Sequence, residues 1–413
     1  MHASQPAAAH NMGDKEFVAL MAMIQALMAL AIDAMLPALG VLSHELGVNG
    51  PNERQLVVGT FLICSGLTSL FPGALADRYG RRPVLLISLA GFVTMNVAAA
   101  LAPNFITLLI FRGLTGAFSS GLLVMATAII RDSFEGDRMA RTQSLVSMVF
   151  MVVPMLAPSV GQGVLLVAGW RWIFAMMAIL GGVVTVWTWV RLPETLHPEF
   201  RQKIEPRVIL RNMRTVFLTR AAVGYVVGMS LVQSALFGYI NSSQQLVAEH
   251  FGAGSTFPLF FGGMALCMAF ASLTNSRIVE RFGSRRVSHT ALLVFITCGA
   301  LQLAFASRGG ETLGQFAPLM TLNLCAMGFI GANFQAIALQ PFGRIAGAAS
   351  SVQAFMRLMV GATLGSLIGQ AYDGTARPLA MALLSAGIVA LVVVIYSERG
   401  KLFTRVHGQV AQA

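Results

Sequence analysis

The sequence contains few charged residues, and this scarcity limits the class of protein. Only 11% of its 413 residues are charged, whereas 56% are hydrophobic and the mean hydropathy is +0.72. Soluble domains contain roughly 25% charged residues. Several apolar runs also exceed the ~20 residues that a helix needs to cross a bilayer. The composition therefore excludes an ordinary soluble domain and predicts an all-α membrane protein with many spans.

Acidic residues are scarcer than basic ones, with 17 Asp and Glu, 28 Lys and Arg and a net charge of +11. With both termini cytoplasmic, 22 of the 28 basic residues fall in inner segments and four in outer loops. This positive-inside pattern explains the charge by membrane orientation, so we expect no nucleic-acid partner. The twelve predicted spans are roughly 16–39, 55–76, 83–102, 105–129, 143–168, 172–190, 220–241, 256–276, 287–307, 314–337, 347–371 and 378–397.

Residues that could support catalysis or metal binding are also sparse. The four cysteines lie in apolar spans and form no C-x-x-C pair, so we interpret them as small buried side chains. The seven histidines are scattered, which disfavours a membrane-embedded enzyme. No G-x-x-x-x-G-K-[ST] loop is present, which disfavours an ATP-driven pump. We expect no enzymatic activity, no metal and no cofactor, with a proton gradient as the energy source.

A short basic string occurs twice. Asp-Arg-Tyr-Gly-Arg-Arg at 77–82 is followed, at an offset of 203, by Glu-Arg-Phe-Gly-Ser-Arg-Arg at 280–286. A repeat within a membrane-type composition indicates two similar helical bundles. We predict two pseudo-symmetric six-helix bundles, 1–190 and 220–413, joined by a cytoplasmic linker at 191–219.

The linker is the only long polar connection. Arg207, Arg211 and Arg214 recur at helical spacing within it. This spacing fits a basic amphipathic helix on the inner leaflet, and an irregular charged linker fits equally well.

Several motifs indicate a family. Residues 73–82 resemble the loop 2–3 signature of the major facilitator superfamily, and Arg112–Gly116 in span four is similar to the R-x-x-x-G motif of its proton-coupled members. VPMLAPSVGQ at 153–162 resembles the antiporter motif of drug exporters, with Ala157 and Gln162 replacing two glycines. Asp33–Leu39 is similar to the D-x-Y-L-P-A segment of bicyclomycin and chloramphenicol exporters. The resemblance covers essentially the whole chain and implies the superfamily fold.

Asp33 is the only acidic residue deep within a predicted span. A charge at such depth is costly, so this carboxyl group must face a cavity, pair with another group or bind a proton. Asp33 and Arg112 lie at similar depths, ~9 Å and ~10 Å from the outer ends of spans one and four. The resemblance implies that these spans are neighbours. We predict that Asp33 and Arg112 couple proton movement, directly or through water; a static structural pair is the alternative.

The resemblance also implies a gate. It places Asp77 against the cytoplasmic start of span eleven. It also gives the prolines of span five a role in sealing the cavity. The arginines of loop 2–3 have an alternative role, in which they only fix the orientation of the chain in the membrane. The residues predicted to control the conformational change are Gly73, Asp77, Arg78, Gly80, Arg81, Arg82, Pro154, Pro158, Gly161, Glu280 and Arg281.

Arg357 lies near the middle of span eleven, where no buried acid remains to pair with it. Three roles stay open for this side chain. It could bond to backbone carbonyl groups, receive an anionic group or line a water-filled space.

The predicted function is a proton-coupled multidrug or antibiotic efflux antiporter of the bacterial inner membrane. Its substrates would be small, lipophilic and neutral or cationic, and it would act as a monomer. The predicted substrate contacts are Asp33, Met151, Gln233, Leu236 and Tyr239. An exporter of a normal metabolite, such as a sugar, nucleoside or amino acid, is the alternative.

Overall fold

The computed structural model describes residues 12–50, 52–134, 136–196, 199 and 206–403, and this part contains helices but no strands. The α-helices are α1 (Asp14–Asp33), α2 (Leu39–Glu45), α3 (Leu56–Thr68), α4 (Phe71–Tyr79), α5 (Arg81–Ala100), α6 (Phe105–Ser133), α7 (Gly136–Ala168), α8 (Arg171–Arg191), α9 (Pro206–Leu218), α10 (Arg220–Gln244), α11 (Phe257–Phe282), α12 (Ser284–Arg308), α13 (Leu313–Leu339), α14 (Ala346–Gln370) and α15 (Arg377–Ser397).

The number of membrane-spanning helices agrees with the sequence. Eleven segments of the described residues are long and apolar enough to cross a membrane, and α3 and α4 form a twelfth span that is bent by 47°. Pro72 lies in the first turn of α4 and has no backbone N–H to continue the helix, which accounts for the interruption. The prediction of an all-α protein with twelve spans is confirmed for this part of the chain.

The chain divides into two compact units. The first comprises Met1–Pro206 with Ser255–Gly262, and the second comprises Arg207–Gly254 with Gly263–Ala413. The division after Pro206 lies within the predicted linker. The linker contains a helix, α9, on which Arg207, Arg211 and Arg214 are exposed and Val216 is fully buried.

Glycines allow close packing within each unit. In the first unit, a Cβ atom on Gly116 of α6 would overlap the backbone carbonyl of Phe61 in α3. In the second unit, a Cβ atom on Gly365 of α14 would lie 3.0 Å from the backbone nitrogen of Gly238 in α10. Such small residues let neighbouring backbones approach within the bilayer, where helix association depends on tight packing.

The cysteines are all unpaired, but they are not uniformly buried. Cys298 is buried and Cys64 and Cys325 are partly buried, whereas Cys267 is exposed on the surface of α11. The expectation of four buried thiols is therefore wrong for Cys267. A membrane-spanning helix can present a small apolar side chain outward because its surroundings are lipid.

Candidate functional site

Asp33 is the last residue of α1, at a break in the first membrane-spanning segment. A short 3₁₀ turn, Leu36–Ala38, follows the break, and α2 then continues the apolar segment to Glu45. Pro37 lies in this turn and cannot donate a backbone hydrogen bond, which explains why α1 does not continue. The helical segment thus extends beyond residue 39, the predicted end of span one. Asp33 lies about 18 Å of helical rise before Glu45, where the segment ends.

The side chain of Asp33 is 5% exposed. Among the residues that the structure describes, none forms a hydrogen bond or an ion pair with its carboxyl group. Burial without a partner makes the charged form of a carboxyl group costly. This position can therefore exchange a proton without breaking an ion pair.

Arg112 of α6 is fully buried and is anchored to backbone carbonyl groups. Its Nε donates to the carbonyl of Val57 at 3.0 Å, and its Nη2 donates to the carbonyl of Ala31 at 2.9 Å. The guanidinium group also lies over the ring of Phe61, 4.6 Å from the centroid. Ala31 belongs to the last turn of α1, where carbonyl groups lack helical donors. Arg112 thus holds α1 two residues before Asp33.

The structure shows no direct pairing of Arg112 with Asp33. No salt bridge or hydrogen bond joins the two side chains within the described residues. The two groups are connected through the Ala31 carbonyl at the end of α1. Arg112 therefore fixes the break in span one and leaves the Asp33 carboxyl group free.

Arg112→Met is expected to lower the melting temperature of the purified protein in detergent by several degrees. The change removes two charge-assisted hydrogen bonds, each of which contributes roughly 1.5–3 kcal/mol. Arg308→Met is the matched control, because Arg308 ends α12 with an exposed side chain. Equal melting temperatures for Arg112→Met and the parent protein would contradict the anchoring role.

The motif in span five touches the same break. A Cβ atom on Gly161 of α7 would overlap the carbonyl oxygen of Ala34, the residue after Asp33. α7 is a single helix that contains both Pro154 and Pro158. The side chain of Met151 lies outside the described residues. Gly161 thus places α7 directly against the segment that carries the buried acid.

The string at 77–82 forms a charged cluster in the first unit. Gly80 joins α4 to α5 with φ of 107°, a conformation that favours glycine. Arg81, which is 4% exposed, donates to Asp77 and to Asp132, each at 2.8 Å. Asp132 lies in the last turn of α6. The sequence indicated Asp77 and Arg81 but not Asp132.

Glu194 is the second member of this cluster that sequence reasoning missed. Its carboxylate accepts hydrogen bonds from the backbone N–H groups of Arg81 at 2.8 Å and of Arg82 at 3.3 Å. These groups begin α5, where N–H groups lack helical acceptors and a negative charge is favourable. A Cβ atom on Gly80 would overlap the Glu194 carboxylate, so this contact also requires glycine.

The remaining loop residues have supporting roles. Arg82 donates to the carbonyl of Trp189, and the guanidinium of Arg78 lies 5.1 Å from the ring centroid of Tyr79. A Cβ atom on Gly73 would meet a methyl group of Val124 at 3.9 Å, an ordinary contact. Gly73 is therefore not required by crowding within the first unit.

The second string forms a related cluster with different residues. Gly283, with φ of 84°, joins α11 to α12, and Arg285 pairs with Glu398 at 2.7 Å. Glu280 and Arg281, which the sequence indicated, are exposed and form no salt bridge within the described residues. Glu194 follows the last span of the first half and Glu398 follows the last span of the second, at nearly the offset of the strings. The repeat therefore includes these two acids, a signal that the sequence contained.

Glu194→Ala is expected to speed hydrogen–deuterium exchange at the start of α5 by about fivefold to a hundredfold. The change removes the acceptor for the first N–H groups, at a cost of roughly 1–3 kcal/mol. Glu280→Ala is the matched control, because its carboxylate is exposed in the corresponding loop of the other half. Unchanged exchange at residues 81–84 in Glu194→Ala would show that the contact does not stabilise this helix end.

Three predicted substrate contacts lie on α10, in the second unit. Gln233 and Leu236 are partly buried, whereas Tyr239 is 2% exposed and its hydroxyl group donates to the sulfur of Met264 at 3.2 Å. Tyr239 is therefore buried, and Gln233 is the more accessible polar group. No cluster of three or more metal-binding side chains occurs among the described residues.

Comparisons with known proteins agree with these motifs. The sequence model described as Major Facilitator Superfamily matches residues 21–366. The bicyclomycin resistance protein homolog of Haemophilus influenzae is 26% identical over 396 residues, which cover 94% of this chain and 98% of that protein. The multidrug resistance protein MdtL of Klebsiella pneumoniae is 29% identical over 328 residues, which cover 78% of this chain and 80% of that protein.

Solved structures share the fold at lower identity. The human organic anion transporter MFSD10 (TETRAN) aligns with a TM-score of 0.70 and 17% identity, over 94% of this chain and all of that chain. A D-xylose-proton symporter aligns with a TM-score of 0.70 and 15% identity, over 94% of this chain and 98% of that chain. At these identities the likeness concerns the fold alone.

Proposed function

This chain belongs to the Major Facilitator Superfamily of transporters, and we propose that within this family it is a proton-coupled drug efflux antiporter. It would exchange external protons for small, lipophilic, neutral or cationic molecules such as antibiotics. We propose that it resides in the bacterial inner membrane as a monomer with both termini in the cytoplasm. The basic residues concentrated in the inner segments support this orientation.

The observation that carries the proposal is the state of Asp33. Its carboxyl group is 5% exposed, lies at a helix break inside a membrane span and has no partner among the described side chains. A buried acid of this kind gains a proton readily and becomes costly when it loses one. Proton binding and release at Asp33 would therefore change the energy of the states that expose it to either side.

Arg112 and Gly161 give this acid a defined position. Arg112 holds the last turn of α1 through the Ala31 carbonyl, and Gly161 lets α7 pack against the backbone of Ala34. The break in span one is therefore fixed from two sides by the two motifs that resemble proton-coupled exporters. A rearrangement of α1, α6 or α7 during transport would alter the surroundings of Asp33.

The relatives favour drugs over nutrients as substrates. Proteins named for bicyclomycin and multidrug resistance align over 78–94% of this chain at 26–29% identity. Identity at this level supports a similar general activity and leaves the particular compounds to experiment.

One proton supplies enough energy for useful export. A membrane potential provides ~2.3 kcal/mol per charge per 100 mV, and a pH gradient adds ~1.4 kcal/mol per unit. At ~150 mV and half a pH unit, one proton supplies ~4 kcal/mol. This is sufficient for roughly a thousandfold gradient of a neutral compound.

A susceptibility panel tests the proposal. The chain would be expressed in a bacterial host that lacks its own drug pumps, and inhibitory concentrations would be measured for bicyclomycin, chloramphenicol and ethidium. We expect increased resistance to at least one compound and restored accumulation after a protonophore is added. Unchanged susceptibility to all compounds, with protection against toxic sugar, nucleoside or amino-acid analogues instead, would favour a metabolite exporter.

A further inference from the structure

Two polar side chains of α14 lie one helical turn apart without partners. Gln353 is 6% exposed, and neither its Oε1 nor its Nε2 has a hydrogen-bond partner in the described structure. Arg357 is partly buried near the middle of the helix and forms no ion pair with any described residue. Residues four positions apart lie on the same face of a helix. This face therefore presents unused donors inside an apolar segment.

Arg112 provides a comparison, because two of its guanidinium nitrogens donate to backbone carbonyl groups whereas its buried Nη1 has no partner in the described structure. The two hydrogen bonds are 3.0 and 2.9 Å long. No such bond to Arg357 occurs among the described residues. Unsatisfied polar groups in a buried position are costly, and both polar atoms of the Gln353 amide are in this state one turn from Arg357, which indicates a partner that the described second unit does not supply.

The second unit contains no internal counter-ion for Arg357. Its acidic residues all lie at helix ends or in connections, and Glu398 is already paired with Arg285. These acids are Glu249, Glu280, Glu311, Asp373 and Glu398. The acids of its own unit therefore supply no charge-compensating group for Arg357.

Gln233 of α10 extends the polar face. Its Cγ lies 3.2 Å from the position of a Cβ atom on Gly361, which is one turn beyond Arg357 on α14. The ring of Phe237 lies at a similar distance from that position, 3.2 Å. Both distances are tighter than ordinary van der Waals contacts, so Gly361 lets α10 and α14 pack closely and brings Gln233 and Phe237 beside the face of α14 that carries Arg357. A ligand bound at Arg357 and Gln353 would therefore lie near the side chains of Gln233 and Phe237.

We propose that Arg357, Gln353 and Gln233 bind the carboxylate of an otherwise apolar substrate. A guanidinium group donates two parallel hydrogen bonds to a carboxylate, and neighbouring amide N–H₂ groups can complete its coordination. The inference rests on the proposed export function and extends its substrates to molecules with one acidic group. Inorganic anions offer similar hydrogen-bond acceptors but would gain no apolar contact with the ring of Phe237.

Binding of a matched pair of compounds to the purified protein tests the site. The fluorescent compound 2-naphthoate carries a carboxylate on an otherwise apolar ring system, and its methyl ester replaces this charge with a small neutral group. We expect the parent protein to bind the acid about tenfold to a hundredfold more tightly than the ester, as charge-assisted hydrogen bonds predict. Arg357→Gln is expected to remove this preference, Gln353→Leu to reduce it severalfold, and the exposed control Arg377→Gln to retain it.

The outcomes separate this inference from the export function, because binding is measured without a proton gradient. The site is overturned if the parent protein binds the acid no more tightly than the ester, including the case in which neither binds. It is also overturned if Arg357→Gln keeps the preference, or if chloride at equal concentration displaces the acid as well as benzoate does. If Arg357→Gln does not fold, the parent protein and Gln353→Leu decide the question.

Discussion

Asp33→Asn is expected to abolish uphill export. The variant keeps the size of the side chain and loses the proton-binding group. If one proton drives each cycle, the parent protein can hold the drug concentrations on the two sides of the membrane about a thousandfold apart. With Asp33→Asn the two concentrations should be nearly equal. The measurement is accumulation of the drug in proteoliposomes under an imposed membrane potential of ~150 mV together with a pH gradient of about half a unit. Drug-for-drug exchange without a gradient should survive, because the amide is neutral like the protonated acid.

Asp373→Asn is the control for this experiment. Asp373 is an exposed carboxylate between α14 and α15 that accepts a hydrogen bond from Thr375. Its replacement is expected to leave accumulation unchanged. Full accumulation by Asp33→Asn would remove Asp33 from the coupling mechanism and direct attention to an acid outside the spans.

Gly161→Ala is expected to reduce export by about fivefold to a hundredfold. The added methyl group would overlap the carbonyl of Ala34, and a backbone atom cannot rotate away as a side chain can. Overpacking of this kind costs roughly 1–3 kcal/mol, and here the cost falls on the contact between α7 and the break beside Asp33. Initial rates of drug efflux from preloaded cells, normalised to the amount of protein in the membrane, measure the effect.

Gly163→Ala provides a close control on the same helix. A Cβ atom on Gly163 would meet no atom within 4 Å, so the same substitution two residues away adds no crowding. Its rate is expected to match that of the parent protein. Equal rates for Gly161→Ala and Gly163→Ala would show that close packing at the break is not needed for transport.

Hydropathy and charge predicted most of the fold. Twelve apolar runs and the bias of basic residues are local properties of the chain, and each run longer than ~20 residues has few structural alternatives in a membrane. The bend between α3 and α4 was not predicted, although Pro72 marks its position. The continuation of the helical segment beyond residue 39 was also missed, although Pro37 marks the break within it.

Sequence reasoning could identify those site residues whose type is unusual within a membrane span. A lone buried acid and two arginines within spans are visible in the sequence, so Asp33, Arg112 and Arg357 could be singled out. Their partners could not, because Arg112 bonds to backbone carbonyl groups of Val57 and Ala31, which any residue could supply. Asp132 and Glu194 were missed because they lie far from Arg81 in sequence and resemble ordinary charges at helix ends.

Proton movement during downhill drug flux tests the coupling most directly. Proteoliposomes would be loaded with a compound identified by the susceptibility panel and with a pH-sensitive dye, and valinomycin with equal potassium on both sides would hold the potential at zero. An antiporter moves protons inward as the drug leaves, so the lumen should acidify with the parent protein and keep its pH with Asp33→Asn. Protein-dependent loss of drug from parent vesicles at constant luminal pH would contradict proton-coupled export.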